Sequence, residues 1–323
     1  MRLGLVGAGL HGARYARHIT RDVDTARLVA LCRRDRAAGE AQARDHSAEY
    51  VPSIEALVRR ADLDAIVVVT PPANHLSACR LALAAGKDVL VEKPIVSSLA
   101  EGEELASIVR TSGHRLMLAQ TLRYDGVLRE VKRRLPGLGR IVRVQMAQRL
   151  EPSPLAWQRE HALAGAGSIL LTGVHLFDSV RWLFDDEVAE VFCRARQVLN
   201  PSHEDFFTAS VVLRRSGIFA DLEISKYSQS RSCRIEVVGE TGQLVGDYWH
   251  HRLSETVGRQ ERQLPLPPET YTVEATVRAF CRAWLDGAPM PITVDDGLRT
   301  LEIAEACYAS VATRRPIRTP RSS

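Results

Sequence analysis

The chain has 323 residues, 43 Lys and Arg against 39 Asp and Glu, a net charge of +4 and 45% apolar residues, the make-up of an ordinary globular protein. So small a basic excess, with no Lys/Arg block interleaved with aromatics, excludes a nucleic-acid partner, and no run reaches the ~18 apolar residues that cross a membrane. The length points to two domains. The six cysteines, at 32, 79, 193, 233, 281 and 307, have no metal-ligand spacing, so neither a metal nor a disulfide framework is expected and a cytoplasmic location suits them. The first residues faintly resemble a signal peptide, but His11, Arg14 and Arg17 break the apolar stretch early.

Residues 3–6 read as an apolar strand that runs through Gly7-Ala8-Gly9-Leu10-His11-Gly12 into a helical pattern over 11–21. In a βαβ unit this spacing lets Gly7 turn tightly, lets a pyrophosphate approach the backbone at Gly9, and lets helix and strand pack closely at Gly12. The helix N-terminus adds free N–H groups and the positive end of a dipole. A glycine-rich turn without a ligand is the plainer alternative. The second strand, 28–32, ends at Arg33-Arg34-Asp35, where a dinucleotide fold reads the adenosine ribose. An acidic residue there would accept from a free 2′-hydroxyl. Arg33 and Arg34 instead offer donors to a 2′-phosphate, so NADP(H) is favoured and NAD(H) is the alternative. Both arginines also suit a solvated loop, with Asp35 capping the next helix.

Helices are further predicted over 36–44, 54–60, 74–85 and 99–111, and strands over 65–69, 89–91 and 116–119. This alternation marks a parallel sheet covered on both faces. Thr70-Pro71-Pro72-Ala73-Asn74-His75 follows the 65–69 strand, at the carboxyl end of the sheet where such folds bind ligands. Asn74 equally suits plain helix capping. The 89–91 strand ends in Glu92-Lys93-Pro94. A lysine at that place suits donation to a substrate oxygen and stabilisation of alkoxide charge, or a solvated turn.

Beyond residue 120 the texture changes. A helix over 127–135 and a Pro136-Gly137 break precede strands over 140–146, 188–198, 206–213, 218–225, 233–238 and 243–248, whose direct succession argues for an antiparallel sheet. Between them, residues 165–183 read as a helix on which Leu171, His175, Asp178 and Trp182 share a stripe, so that His175 and Asp178 can meet. An imidazole suits proton abstraction from a hydroxyl, although a histidine on so apolar a helix also suits a satisfied core position. Helices over 271–285 and 295–312, joined by a turn at 287–291, complete the chain.

These motifs, in this order, resemble the glucose-fructose oxidoreductase, inositol dehydrogenase and rhizopine catabolism (Gfo/Idh/MocA) family over nearly the whole chain. The likeness rests on the glycine turn at 7–12, residues 70–75, Glu92-Lys93-Pro94, Gln120-Thr121-Leu122-Arg123-Tyr124, Leu138-Gly139-Arg140-Ile141 and Trp157 ahead of Gly165-Ala166-Gly167. Gly173-Val174-His175-Leu176-Phe177-Asp178, residues 236–242 and residues 295–299 extend it. It implies an α/β fold: a Rossmann domain over 1–120, then an α+β domain over 121–323 for substrate binding and oligomerisation, on an open, mostly antiparallel sheet. The last helix is expected to pack back on the Rossmann domain, and a homodimer or homotetramer to form through the C-terminal sheet.

The resemblance also implies hydride transfer at a carbon bearing a hydroxyl, usually on a sugar or cyclic polyol. Lys93 and His175 become the catalytic pair, with Asp178 orienting the imidazole and the Lys93–Pro94 bond cis. Cofactor contacts fall to Gly7, Ala8, Gly9, Leu10, His11, Gly12, Arg33, Arg34, Thr70, Pro71, Pro72, Asn74, His75, Glu92, Lys93 and Gln120. Substrate contacts fall to Arg123, Tyr124, Trp157, His161, Thr172 and His175. The family often has an Asp four residues before the catalytic His, pairing with the Lys, and Leu171 stands there. Without that carboxylate a desolvated ammonium is less favoured; either Asp178 or Glu92 takes over, or the chemistry is altered. Two alternatives stay open: a transient-redox sugar lyase or glycosidase with tightly held cofactor, and a non-catalytic NADP(H)-binding regulator.

Overall fold

A computed structural model describes residues 1–320 of the chain, which falls into two separately packed units, Met1–Thr121 with Tyr271–Leu298, and Leu122–Thr270 with the chain from Arg299. In the first, β1 (Arg2–Val6), α1 (Leu10–Arg21), β2 (Arg27–Cys32), α2 (Arg36–Asp45), β3 (Glu49–Val51), α3 (Ile54–Val58), β4 (Ala65–Val68), α4 (His75–Ala84), β5 (Asp88–Glu92), α5 (Leu99–Ser112) and β6 (Leu116–Ala119) alternate. Every residue of β4, β5 and β6 is buried, as strands covered on both faces must be. The strands pair in parallel in the order β3-β2-β1-β4-β5-β6. Chain order reverses between β1 and β4, the switch point at whose carboxyl ends such sheets bind ligands. Ser53 and Ser98 cap α3 and α5 through their hydroxyls, each replacing a missing intrahelical acceptor.

The second unit contains α6 (Gly126–Arg134), β7 (Ile141–Arg149), α7 (His161–Ala164), α8 (Ser168–Leu171), α9 (Gly173–Phe184), β8 (Val188–Arg196), β9 (Phe206–Leu213), β10 (Phe219–Ser225), β11 (Ser232–Gly239), β12 (Gln243–Asp247), β13 (Arg252–Val257) and β14 (Gln260–Gln263). The last elements of the chain are α10 (Thr272–Leu285), α11 (Val294–Thr313) and β15 (Ile317–Arg318). The second sheet has the order β14-β13-β12-β11-β7-β10-β9-β8-β15. Phe207, Ala209, Val211 and Leu213 of β9 turn inward, and Phe207 meets Phe177 of α9 with ring centroids 6.0 Å apart. A buried Phe of this kind contributes about 1.5–3 kcal/mol.

Several expectations are corrected. The second sheet is mostly antiparallel, as the resemblance implies, but the bare succession of strands does not reveal the parallel pairing of β7 with β10 at its centre. The helix expected over 165–183 is broken at Thr172, whose backbone (φ −128°, ψ −38°) separates α8 from α9. Residues 271–298 belong to the first unit although the sequence places all of 121–323 in the second domain: α10 packs on α1, and the start of α11, the last helix, sets Gly297 against Ile95. The reason is local: Leu118 N–H on β6 donates to Ile292 O at 3.0 Å, and Arg115 donates to the carbonyls of Ala283 and Ala288 at 3.3 Å.

Candidate active site

In the first unit the site begins with the turn after β1. Gly7 has φ +91°, and a Cβ on it would lie 2.5 Å from Val69 O; a Cβ on Gly12 would lie 2.1 Å from Gly7 O. The protein's own packing therefore requires both. Gly9 differs, since a Cβ there would meet nothing within 4 Å. The space over Gly9 is what a pyrophosphate needs, at a helix start with no side-chain cap on its N–H groups. Thr70 Oγ1, just past β4, is buried with no hydrogen-bond partner among the described residues. Turn, open space and orphan hydroxyl together fit a dinucleotide.

Arg33 folds back onto this turn. Its Nη1 donates to Ala8 O at 3.1 Å and reaches Gln42 Oε1 at 3.5 Å. Arg34 is exposed, and Asp35 caps α2 by accepting from Ala38 N–H at 3.1 Å. The arginine fork is thus held beside the turn rather than loose in solvent.

Behind the turn lies Glu92, 5% exposed. Its Oε1 accepts from Tyr15 OH at 2.6 Å and lies 2.7 Å from His11 Nε2, while Oε2 accepts from Lys93 N–H at 2.9 Å. Burial alone would raise the pKa of this carboxyl, but His11, the Lys93 charge and the Tyr15 hydroxyl outweigh it and hold Glu92 well below the usual carboxylate range. Tyr15, which the sequence reading missed, was signalled only by its i, i+4 spacing from His11. Lys93 is half-buried, and desolvation lowers its pKa against the opposing pull of Glu92. The Lys93–Pro94 bond is cis.

Two assignments change here. His75, expected at the cofactor, is 0% exposed and has no surface to offer one. Its Nδ1 lies 2.9 Å from Pro94 O and its Nε2 2.8 Å from Thr70 O, so it clamps the two loops together from behind. Burial lowers its pKa. Asn74, at the start of α4, makes no capping bond, because residues 72–74 form a 3-10 turn before the helix. Gln120 and Pro72 are buried, while Pro71 is half-buried and Leu10 is 63% exposed.

In the second unit, α9 is buried at every position from Gly173 to Arg181 except His175, which is half-buried between Val174 and Leu176. The sequence assigns Asp178 to the imidazole; the structure gives both its oxygens to Arg123, with Nε donating at 2.7 Å and Nη2 at 2.6 Å. Asp178 is 1% exposed, and its carboxylate geometry matches the planar arginine fork. Arg123, expected to meet substrate, thereby serves to anchor α9. Burial pushes the Tyr124 phenol up to about 12, so it stays protonated at neutral pH. Thr172 and Leu171 are buried and Trp157 is half-buried. The side chain of His161 lies outside the described residues.

Two family models match: an oxidoreductase family with an NAD-binding Rossmann fold over residues 1–120, and a GFO/IDH/MocA C-terminal domain over 136–245. The chain is 28% identical to inositol 2-dehydrogenase of Rhizobium meliloti, over 98% of each. It is 30% identical to inositol 2-dehydrogenase 3 of Saccharopolyspora erythraea, over 75% of this chain and 72% of that one. Among solved structures, an oxidoreductase domain protein from Kribbella flavida superposes with a TM-score of 0.89 at 22% identity, over 99% of both chains, a likeness of fold.

Proposed function

Because the chain belongs to the GFO/IDH/MocA oxidoreductase family, we propose that it is an NADP(H)-dependent dehydrogenase or reductase acting on a hydroxyl or keto carbon of a sugar or cyclic polyol. The observation that carries the reading is His175, the one half-buried residue on the otherwise buried stretch of α9 from Gly173 to Arg181. Relatives named inositol 2-dehydrogenase support the substrate class. The Arg33 fork beside the glycine turn supports the 2′-phosphate.

Bound, the nicotinamide supplies the hydride acceptor or donor. The first turn of α1 and Arg33 would hold the dinucleotide. Lys93 donates to the reacting oxygen and stabilises the charge that grows on it. His175 takes the hydroxyl proton in oxidation and returns it in reduction. Desolvation lowers the Lys93 pKa, and the negative charge of Glu92 opposes it, the part an acid at position 171 would otherwise play. Six buried cysteines suit a reducing compartment, and no helix among the described residues is long and apolar enough to cross a membrane. We further propose that the open face of the second sheet, where Phe219 is 61% and Val245 40% exposed, pairs with a second copy.

The test is steady-state turnover of myo-inositol and related polyols by wild type, His175→Ala and Lys93→Met. Either variant is expected to lower kcat by about 10²–10⁴, and in His175→Ala NADPH affinity should change less than twofold. Unchanged turnover in His175→Ala would remove that residue from the mechanism.

A further inference from the structure

The residues that α2 buries are Gly39, Gln42 and Ala43, one inward face of the helix. Gly39 and Gln42 come up to Arg33 at the end of β2. A Cβ on Gly39 would lie 2.6 Å from Tyr50 Cε2 and 3.3 Å from Arg33 Cβ, so helix, tyrosine ring and arginine are packed together with no room to spare. Tyr50 OH, on β3, also donates to Arg33 O at 3.3 Å. Less than one turn on, Gln42, 9% exposed, presents its Oε1 to Arg33 Nη1 at 3.5 Å. The backbone of Arg33 is thus held from β3, and its fork from α2 and from Ala8 O.

A buried amide costs desolvation unless a polar group matches it, and the Arg33 guanidinium supplies the match. A guanidinium has five N–H donors and no acceptor. Ala8 O and Gln42 Oε1 engage only Nη1; Nε and Nη2 make no hydrogen bond among the described residues. The nearby carboxylates are directed elsewhere, Asp35 accepting from Ala38 N–H at 3.1 Å and Glu40 from Arg36 Nε at 2.7 Å. A neutral acceptor at 42 therefore orients the fork and leaves its charge uncompensated, whereas a carboxylate there would pair with it. We propose that Gln42 is a positioning residue that sets dinucleotide specificity: its amide holds the Arg33 fork beside the glycine turn with the positive charge kept for a 2′-phosphate, while Tyr50 fixes the arginine backbone. The inference rests on the NADP(H) reading above and adds the residues that make Arg33 effective.

The experiment titrates NADPH and NADH, and separately adenosine 2′,5′-bisphosphate and 5′-AMP, into wild type, Gln42→Met and Gln42→Glu, so that the 2′-phosphate is read without any turnover. Met keeps the volume and removes the acceptor; Glu keeps the shape and adds a charge. Gln42→Met should lower the preference for the 2′-phosphorylated member of each pair by about 2- to 10-fold, and Gln42→Glu by about 10- to 100-fold. The member without the 2′-phosphate is the internal reference, because a merely structural defect weakens both alike. Equal weakening of both members, or a wild-type preference that the variants change by less than twofold, overturns the role of Gln42 and leaves the NADP(H) reading standing. A wild type that binds both members of each pair equally overturns that reading and this inference with it. If Gln42→Glu does not fold, the volume-conserving Gln42→Met decides.

Discussion

At Lys93 two influences oppose each other on one ammonium: desolvation lowers its pKa, and the buried negative charge of Glu92 raises it. A lysine that must be protonated to donate loses function as pH rises through its pKa, so the alkaline limb of the pH–rate profile should lie below the ordinary lysine value. Glu92→Gln removes the opposing charge and should move that limb further down, which kcat/KM measured across pH would show; an unmoved limb would disconnect the two residues. Glu92 also carries a stability signature. Its folded pKa is depressed, so its contribution is present above the ordinary carboxylate range and is lost as pH falls through the folded value. Two glycines separate packing from binding. A Cβ on Gly12 meets backbone at 2.1 Å, so Gly12→Ala should cost about 1–3 kcal/mol of stability. A Cβ on Gly9 meets nothing, so Gly9→Ala should stay within about 0.5 kcal/mol of wild type in thermal unfolding and yet weaken NADPH binding. Unchanged affinity in Gly9→Ala would mean that no phosphate lies over that turn.

The helix α9 is held from one side by an ion pair that joins residues 55 positions apart. Removing one partner of a buried pair leaves the other charge uncompensated, so Asp178→Ala should cost about 3–5 kcal/mol, read by denaturant unfolding; a loss below 1 kcal/mol would show the pair to be solvated. Nothing local in the sequence marks this pairing, and the i, i+3 spacing of His175 and Asp178 points to a different partner. The break at Thr172 is equally hidden, because helical periodicity continues across it from Ser168 to Phe184. Elements that carry apolar periodicity were legible: β1, β2, β4, β5 and β6 and the helices between them stand close to where their residues predict them. The missed strands lack that signal. β14 is Gln-Glu-Arg-Gln and exposed throughout, β13 carries only a weak apolar alternation, and β3 and β15 have three and two residues.

At the scale of the molecule, the fold and family were legible because a dinucleotide turn, a strand-terminal Glu-Lys-Pro and a late Gly-x-His follow one another in order, and the fold keeps all three near element ends. The return of α10 to the first unit was not, since no change of composition accompanies it and its hydrogen bonds reach back more than 160 residues. Of the site, the residues that face open space were legible by type. Those that act from behind were not: His75 and Glu92 looked like ligand contacts because residue type reveals chemistry, whereas burial is settled only by the assembled core.

The proposed cofactor is a 2′-phosphorylated nicotinamide dinucleotide, held in the first unit by the glycine turn and Arg33. Titration of the purified protein with NADPH and with NADH, followed by nicotinamide fluorescence on wild type and Arg33→Asp, tests it most directly. Wild type is expected to bind NADPH more tightly, by about 10-fold or more for one charge-assisted bond, and the variant to reverse that preference. Equal affinities unaffected by the substitution would contradict the role of Arg33, and binding of neither cofactor would contradict the claim as a whole.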